Sequence, residues 1–280
     1  MTNSPIETKE FYGHTVYIKR DDLLDANFSG NKARKFAYFL AKEFSQITKV
    51  LSYGSAQSNA MYSLSVLANL RGWKFDYYVD HLADYLKENP HGNYKYALEN
   101  GMRLQIGKVP LLTEETTLLI EEGGRQKEAE YGIKLLAQEI TAWKEEKGFE
   151  KINIFLPSGT GTTALYLQKN SNDQVYTMPC VGGVEYLKEQ FFMLEKEEAF
   201  HPTIVTPSKK RHFGKLYRES YTIWQELHAQ MGIEFDLLYD PHGWLTLLEN
   251  PQIFKKPTLY IHQGGVIGNE SMLARYERKY

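Results

Sequence analysis

An α/β protein with mainly parallel, twisted sheets flanked by helices is the fold class that this sequence predicts. Three observations carry the prediction. Apolar runs of strand length alternate with longer segments of helical period along the whole chain. Such alternation produces strand–helix–strand units and parallel pairing. Several of the joints are short and rich in Gly, Ser and Thr, residues that end strands and cap helices. A chain of 280 residues with 42% apolar content can bury a sizeable core, in one large domain or two modest ones.

In order, residues 15–19 read as a strand, 31–42 as a helix, 50–53 as a strand, 56–71 as a helix and 75–79 as a strand. A helix over 127–147 follows, because Ile133, Leu136, Ile140 and Trp143 fall on one face. The alternation continues with strand 152–156, helix 162–168, strand 175–178, helix 183–194, strand 203–205, helix 216–231, and strands 235–238 and 259–262. Residues 80–124 are the least regular, rich in Tyr, Gly, Asn and Pro, and suit either a loop over a site or a long connection. There is no internal repeat and no low-complexity segment.

Composition narrows the function classes. The net charge is −2, with both signs interspersed, which is not the footprint of a nucleic-acid partner. The short basic runs at 208–211 and 275–279 read as solvated surface. The first 13 residues hold no apolar run, and no later segment approaches a membrane span, so neither a leader nor a membrane is expected. The single cysteine, Cys180, cannot form an intrachain disulfide, and no Cys/His cluster has zinc spacing. The expectation is a cytoplasmic protein without a metal site.

Four segments can carry chemistry. The first is a buried strand running into Pro157-Ser158-Gly159-Thr160-Gly161-Thr162-Thr163-Ala164 and a helix start. Glycine admits close backbone approach, and a helix N-terminus offers unpaired N–H groups and partial positive charge, so the segment suits a phosphate. It also suits a tight Thr-capped turn with no ligand. It is not a Walker loop, and no acidic residue follows at the spacing of a dinucleotide site. The second is Ser29-Gly30-Asn31-Lys32-Ala33-Arg34-Lys35 after Lys19-Arg20-Asp21-Asp22-Leu23. With Ser29 or Asn31 as cap, Lys32 lies in the first helical turn, where partial positive charge opposes protonation and makes the amine a better nucleophile. Most lysines at helix starts are simply solvated, and Lys35 is expected to be so. The third is Ser52-Tyr53-Gly54-Ser55-Ala56-Gln57-Ser58-Asn59, a strand-to-helix joint suited to a carboxylate or phenolic oxygen, or to plain capping. The fourth is Tyr260-Ile261-His262-Gln263-Gly264-Gly265, a strand opening onto bare backbone against which a flat ligand, or only a turn, can lie.

In order and content these segments resemble the 1-aminocyclopropane-1-carboxylate (ACC) deaminase and D-cysteine desulfhydrase family of tryptophan-synthase-β-like, fold type II pyridoxal 5'-phosphate (PLP) enzymes. The family's Lys-Arg-Glu/Asp-Asp-Leu and Gly-Gly-Asn-Lys-x-Arg-Lys match 19–23 and 29–35, which implies that Lys32 holds the cofactor. Its Gly-Gly-x-x-Ser-Asn segment matches 54–59, implying Asn59 beside the ring hydroxyl and a substrate carboxylate at the Ser58-Asn59 turn, with Gln57 and Tyr53 beside it. Gly159, Thr160, Gly161, Thr162 and Thr163 correspond to the phosphate cup, and Gly264 belongs to the His-Thr-Gly-Gly signature. The resemblance implies two domains, 1–36 with 143–280 as the larger and 37–142 as the smaller. It also implies a cleft site, a small amino-acid substrate and a homodimer.

The departures bear on substrate. ACC deaminases carry Asp-Pro-Val-Tyr-Glu-Gly-Lys, with a catalytic Tyr and a Glu facing the pyridine nitrogen; desulfhydrases have Thr for that Glu. Aligned on Asp240-Pro241, the Tyr becomes Gly243 and the ring-nitrogen partner Trp244, or Thr246 if a gap is allowed. A second family tyrosine becomes Phe213. With those groups missing, α,β-elimination from a D-cysteine-like substrate is expected ahead of ACC ring opening, since a thiolate needs less assistance to leave. Tyr53 and Tyr239 are the residues that could take over the lost role. The alternatives are an ACC deaminase with altered catalytic groups and a non-catalytic PLP-binding protein.

Overall fold

A computed structural model describes residues 3–112 and 114–280. Two sheets organise it. The six-stranded sheet runs β1-β2-β10-β7-β8-β9, with β1 (Ile6–Phe11), β2 (His14–Arg20), β7 (Asn153–Ser158), β8 (Gln174–Pro179), β9 (Thr203–Ile204) and β10 (Thr258–His262). The four-stranded sheet runs β5-β4-β3-β6, with β3 (Lys49–Tyr53), β4 (Lys74–Val79), β5 (Met102–Ile106) and β6 (Thr117–Leu119). All pairings are parallel except the β1–β2 hairpin, which turns at Tyr12-Gly13.

The helices are α1 (Gly30–Ala41), α2 (Asn59–Arg71), α3 (Asp84–Glu88), α4 (Gly92–Glu99), α5 (Ala129–Glu146), α6 (Thr162–Lys169), α7 (Val184–Leu194), α8 (Arg218–Met231), α9 (Asp240–Leu248) and α10 (Asn269–Lys279). The predicted stripe Ile133, Leu136 and Ile140 on α5 packs against Ile152, Ile154 and Leu156 of the large sheet. Phe36 and Phe39 of α1 instead join Val50, Leu64 and Phe75 around the small sheet. The divisions expected at 36/37 and 142/143 fall inside α1, which belongs to the small-sheet core, and α5, which belongs to the large-sheet core, and the two helices pack on each other.

One expected strand is not one. Residues 235–238 are irregular backbone, because the Asp236 carboxylate takes the Leu238 and Tyr239 N–H groups and turns the chain into α9. Among the described residues no helix is long and apolar enough to cross a membrane, and no group of His, Cys, Asp or Glu is placed to hold a metal ion.

Candidate active site

Parallel sheets place ligands at the carboxyl ends of their strands. The ends of β7 and β10, the segment after β3, and the starts of α1, α2 and α6 surround one cavity of about 510 Å³. That size suits a cofactor with a small molecule beside it.

Helix α1 brings two lysines to it. Lys32 Nζ lies 3.3 Å and Lys35 Nζ 3.0 Å from the Gly123 carbonyl oxygen, and Lys35 also lies 3.4 Å from Thr160 Oγ1. Lys35 is buried, contrary to the expectation that it is solvated. Lys32 is half-buried because its stem lines the open cavity, while its amine is enclosed by protein. Burial lowers that amine from 10.5 to about 8, against smaller opposing effects of Lys35 and Glu122. Desolvation, more than the helix-terminal field, thus makes it a partly neutral nucleophile near neutral pH. Burial, then the charge of Lys32, pushes the Lys35 amine well below 10.5.

The opposite face of α1 is anchored. Arg34, fully buried, meets Asp21 at 2.7 Å and Glu139 at 2.6 Å, and Lys19 meets Glu139 at 2.6 Å. Lys19, Asp21 and Arg34 are thus structural and tie the helix that carries Lys32 to Glu139 of α5. Its start is set by backbone: the Asn31 N–H donates to the Gln263 carbonyl at 2.9 Å. Gly30 has φ +67 and a Cβ there would collide with Gln263. Ser29 occupies the cap position, but its side chain makes no capping bond.

Gly161, with φ +70, turns β7 into α6; a Cβ there would collide with Phe191 and lie 2.5 Å from Leu187. The Thr160 and Thr162 hydroxyls lie 3.1 Å apart, and the buried Thr163 Oγ1 has no partner. This hydroxyl-lined helix start faces Lys35, so orphaned donors and cations converge on one point. An oxyanion satisfies them together.

At α2, Ser58 caps the helix by accepting from Ala60 N at 3.1 Å. Asn59 Oδ1 accepts from Asn93 Nδ2 at 2.6 Å, leaving its Nδ2 as a donor against the Gly265 backbone. Gln57 lines the cavity, but its side chain is engaged with His91 and Tyr94. Tyr53 is not in the wall at all; its hydroxyl bonds Glu121 at 2.5 Å.

The remaining walls bring in Asp236, Ser271 and Met272, which the sequence did not single out, beside Tyr239, Asp240 and Arg275. Asp236, Tyr239 and Asp240 form one side, and Ser271, Met272 and Arg275 of α10 another. Asp240 accepts from Tyr260 Oη at 2.6 Å and from Asp236 N at 3.1 Å; Asp236 Oδ2 is buried without a partner. Burial pushes Asp236 up to about 7, and burial with the charge of Asp236 pushes Asp240 well up. The pair therefore holds a proton at neutral pH.

No protein-family model matches the chain. A protein of Thermotoga maritima named "Putative 1-aminocyclopropane-1-carboxylate deaminase" is 24% identical over 92% of this chain and 91% of its own length. Among solved structures, an ACC deaminase homologue superposes with a TM-score of 0.85 at 21% identity, covering 100% of this chain and 94% of its own. An L-serine ammonia-lyase from Rhizomucor miehei superposes at 0.66 with 12% identity, covering 100% and 98%. The fold is that of the fold type II PLP enzymes.

Within that fold one reading of the sequence needs correction. Trp244 is fully buried among Phe11, Phe235 and Tyr260, and Thr246 donates to the His242 carbonyl; neither reaches the cavity. The Asp-Pro pair had drawn the alignment four residues too far. Asp236-Leu237-Leu238-Tyr239-Asp240 fits Asp-Pro-Val-Tyr-Glu, with the tyrosine and the acid both in the wall. The Asp-x-x-Tyr-acid spacing at 236–240 is the signal in the sequence. Tyr239 Oη lies 3.4 Å from where a Cβ of Gly159 would sit, over the hydroxyl loop, and burial holds the phenol neutral. Phe213 packs on Tyr239 with ring centroids 4.9 Å apart, so the second family tyrosine is absent from that place.

Proposed function

We propose that the chain is a PLP-dependent deaminating lyase acting on an α-amino acid, with chemistry of the ACC deaminase type. The observation that carries this is the convergence of Lys32, an oxyanion cradle and Tyr239 on one cavity. The residues fit the cofactor. Lys35, Thr160, Thr162, Thr163 and the backbone around Gly159 and Gly161 would hold its phosphate. The Asn59 amide would donate to the ring hydroxyl, the Asp236–Asp240 pair would face the ring nitrogen, and Lys32 would carry it. When bound, PLP supplies an aldehyde for the substrate amine and an electron sink for the α-carbon.

The chain's own groups do the rest. Lys32, with its amine near 8, is the base: it takes the α-proton of a substrate that has one and, for ACC, whose α-carbon bears no hydrogen, a proton from a ring methylene. Ser58 and the α2 N-terminus receive the carboxylate. Tyr239 stays protonated and serves as acid toward the departing carbon or heteroatom. The expectation that D-cysteine outranks ACC rested on a missing tyrosine and acid. With Tyr239 and Asp240 in the wall that ground is gone, and of these two substrates ACC ranks ahead of D-cysteine. The absence of a hydroxyl at Phe213 is what favours the desulfhydrase reading.

The test is reconstitution with PLP, borohydride fixation and peptide mapping, followed by assays for 2-oxobutanoate from ACC and for pyruvate and sulfide from D-cysteine. Fixation at Lys32 with 2-oxobutanoate formation supports the proposal. Fixation at Lys35 or nowhere refutes the site, and sulfide release without ACC turnover refutes the ranking.

A further inference from the structure

Resting on that reading of the cavity, we propose that Ser271 and Arg275 form a subsite for a carboxylate at the far end of the substrate side chain. The preferred substrate is then an acidic α-amino acid. Ser271 and Arg275 lie four residues apart on α10, hence on one helix face, and both line the cavity. The Ser271 hydroxyl oxygen is buried with no hydrogen-bond partner. It packs against Gly92 of α4, where a Cβ would approach it to 2.6 Å.

The cations of the cavity identify which is spare. Lys32 and Lys35 share the Gly123 carbonyl, and Lys35 also meets the hydroxyl loop, so both are committed to the cofactor end. Arg275 donates to the Gly214 carbonyl at 3.0 Å and to Met272 Sδ at 3.1 Å. Among the described residues no carboxylate pairs with it. Its position is fixed by those contacts: Gly214 follows Phe213, whose ring packs on Tyr239, and Tyr239 covers Gly159. The wall is thus continuous from the hydroxyl loop through Tyr239 and Phe213 to Arg275. A side chain leaving an amino acid beside Tyr239 is directed toward a guanidinium and an unsatisfied hydroxyl. A carboxylate satisfies both, whereas a methylene ring or a thiol leaves them unpaired.

The experiment is a spectral titration of PLP-reconstituted protein with aspartate and glutamate, their amides asparagine and glutamine, and ACC and D-cysteine. Both enantiomers of each chiral amino acid are used. For at least one enantiomer the acid binds about 10- to 100-fold more tightly than its amide, the factor expected for a charge-assisted hydrogen bond. Arg275→Gln collapses that ratio to within about threefold, Ser271→Ala narrows it, and Arg275→Lys restores part of it. Equal affinity for acids and amides in the unmodified protein overturns the subsite. So does an Arg275→Gln variant that weakens every ligand alike, because the arginine then takes the α-carboxylate common to all. Failure to take up PLP overturns the underlying reading instead, and is seen before any amino acid is added.

Discussion

Lys35→Met has opposite expected effects on the fold and on PLP binding. Lys35 Nζ has the Gly123 carbonyl at 3.0 Å and Thr160 Oγ1 at 3.4 Å, with the Lys32 amine on the same carbonyl. Its ammonium form is disfavoured by burial, by Lys32 and by Arg125. Methionine keeps the stem volume and removes the head. Replacing a buried amine that folding holds away from its charged form with an apolar group of similar size stabilises by about 1 kcal/mol or more. For a chain of this length that raises the apo melting temperature by about 2 °C. With PLP bound the sign reverses. A hydrogen bond from an ammonium to phosphate contributes about 1.5–3 kcal/mol, so the dissociation constant for PLP rises about 10- to 150-fold. Thermal melting of the apo protein and equilibrium dialysis with PLP give the two numbers. An affinity within about threefold of the unmodified protein, or an apo form destabilised by several degrees, refutes the assignment of Lys35 to the phosphate.

The remaining predictions concern the same cavity. The Lys32 amine is near 8 in the folded chain and near 10.5 when exposed, so between those values the unfolded state binds more protons and apo stability rises with pH; denaturant titrations from pH 8 to 10.5 should show a slope that Lys32→Met reduces. Gly161→Val and Gly148→Val impose the same left-handed strain, φ +70 and +71, but only Gly161 is crowded, so PLP occupancy should fall in the first alone. Equal occupancy in both would remove the cup from that loop. Tyr239→Phe should retain PLP yet lose about 100-fold or more in turnover, the usual contribution of a proton-transfer group; unchanged turnover excludes Tyr239 as the acid.

The strands and long helices of the large sheet were legible because their apolar period is set by burial against a sheet, as at Ile133, Leu136 and Ile140. The side of the cavity proposed for the cofactor has a visible signal for a related reason: Gly30 and Gly161 have positive φ, and Lys32 and Thr162–Thr163 stand just after them. The opposite side has none. Asp236 and Tyr239 sit on irregular backbone shaped by the Asp236 side chain, and Asp240 opens α9 directly after it, an arrangement with no periodic signature. Arg275 is exposed, as a solvated basic run requires; what 275–279 does not show is that this helix face also lines a cavity together with residues 31–59. The burial of Lys35 has no signal in the sequence either, because the carbonyl that holds it lies 88 residues along the chain.

The ion network beneath α1 has a consequence for reading variants of this protein. Arg34, Asp21, Glu139 and Lys19 lie outside the cavity wall, yet removing one partner from a buried network costs about 3–5 kcal/mol and frees the helix to turn. A turn of α1 swings Lys32 and Lys35 off the Gly123 carbonyl together. Substitutions at these four positions would therefore score in a functional screen as cofactor-loss alleles, indistinguishable from Lys32 lesions by colour alone. A compensating change at one is most readily found at another, so the four positions form a single heritable unit.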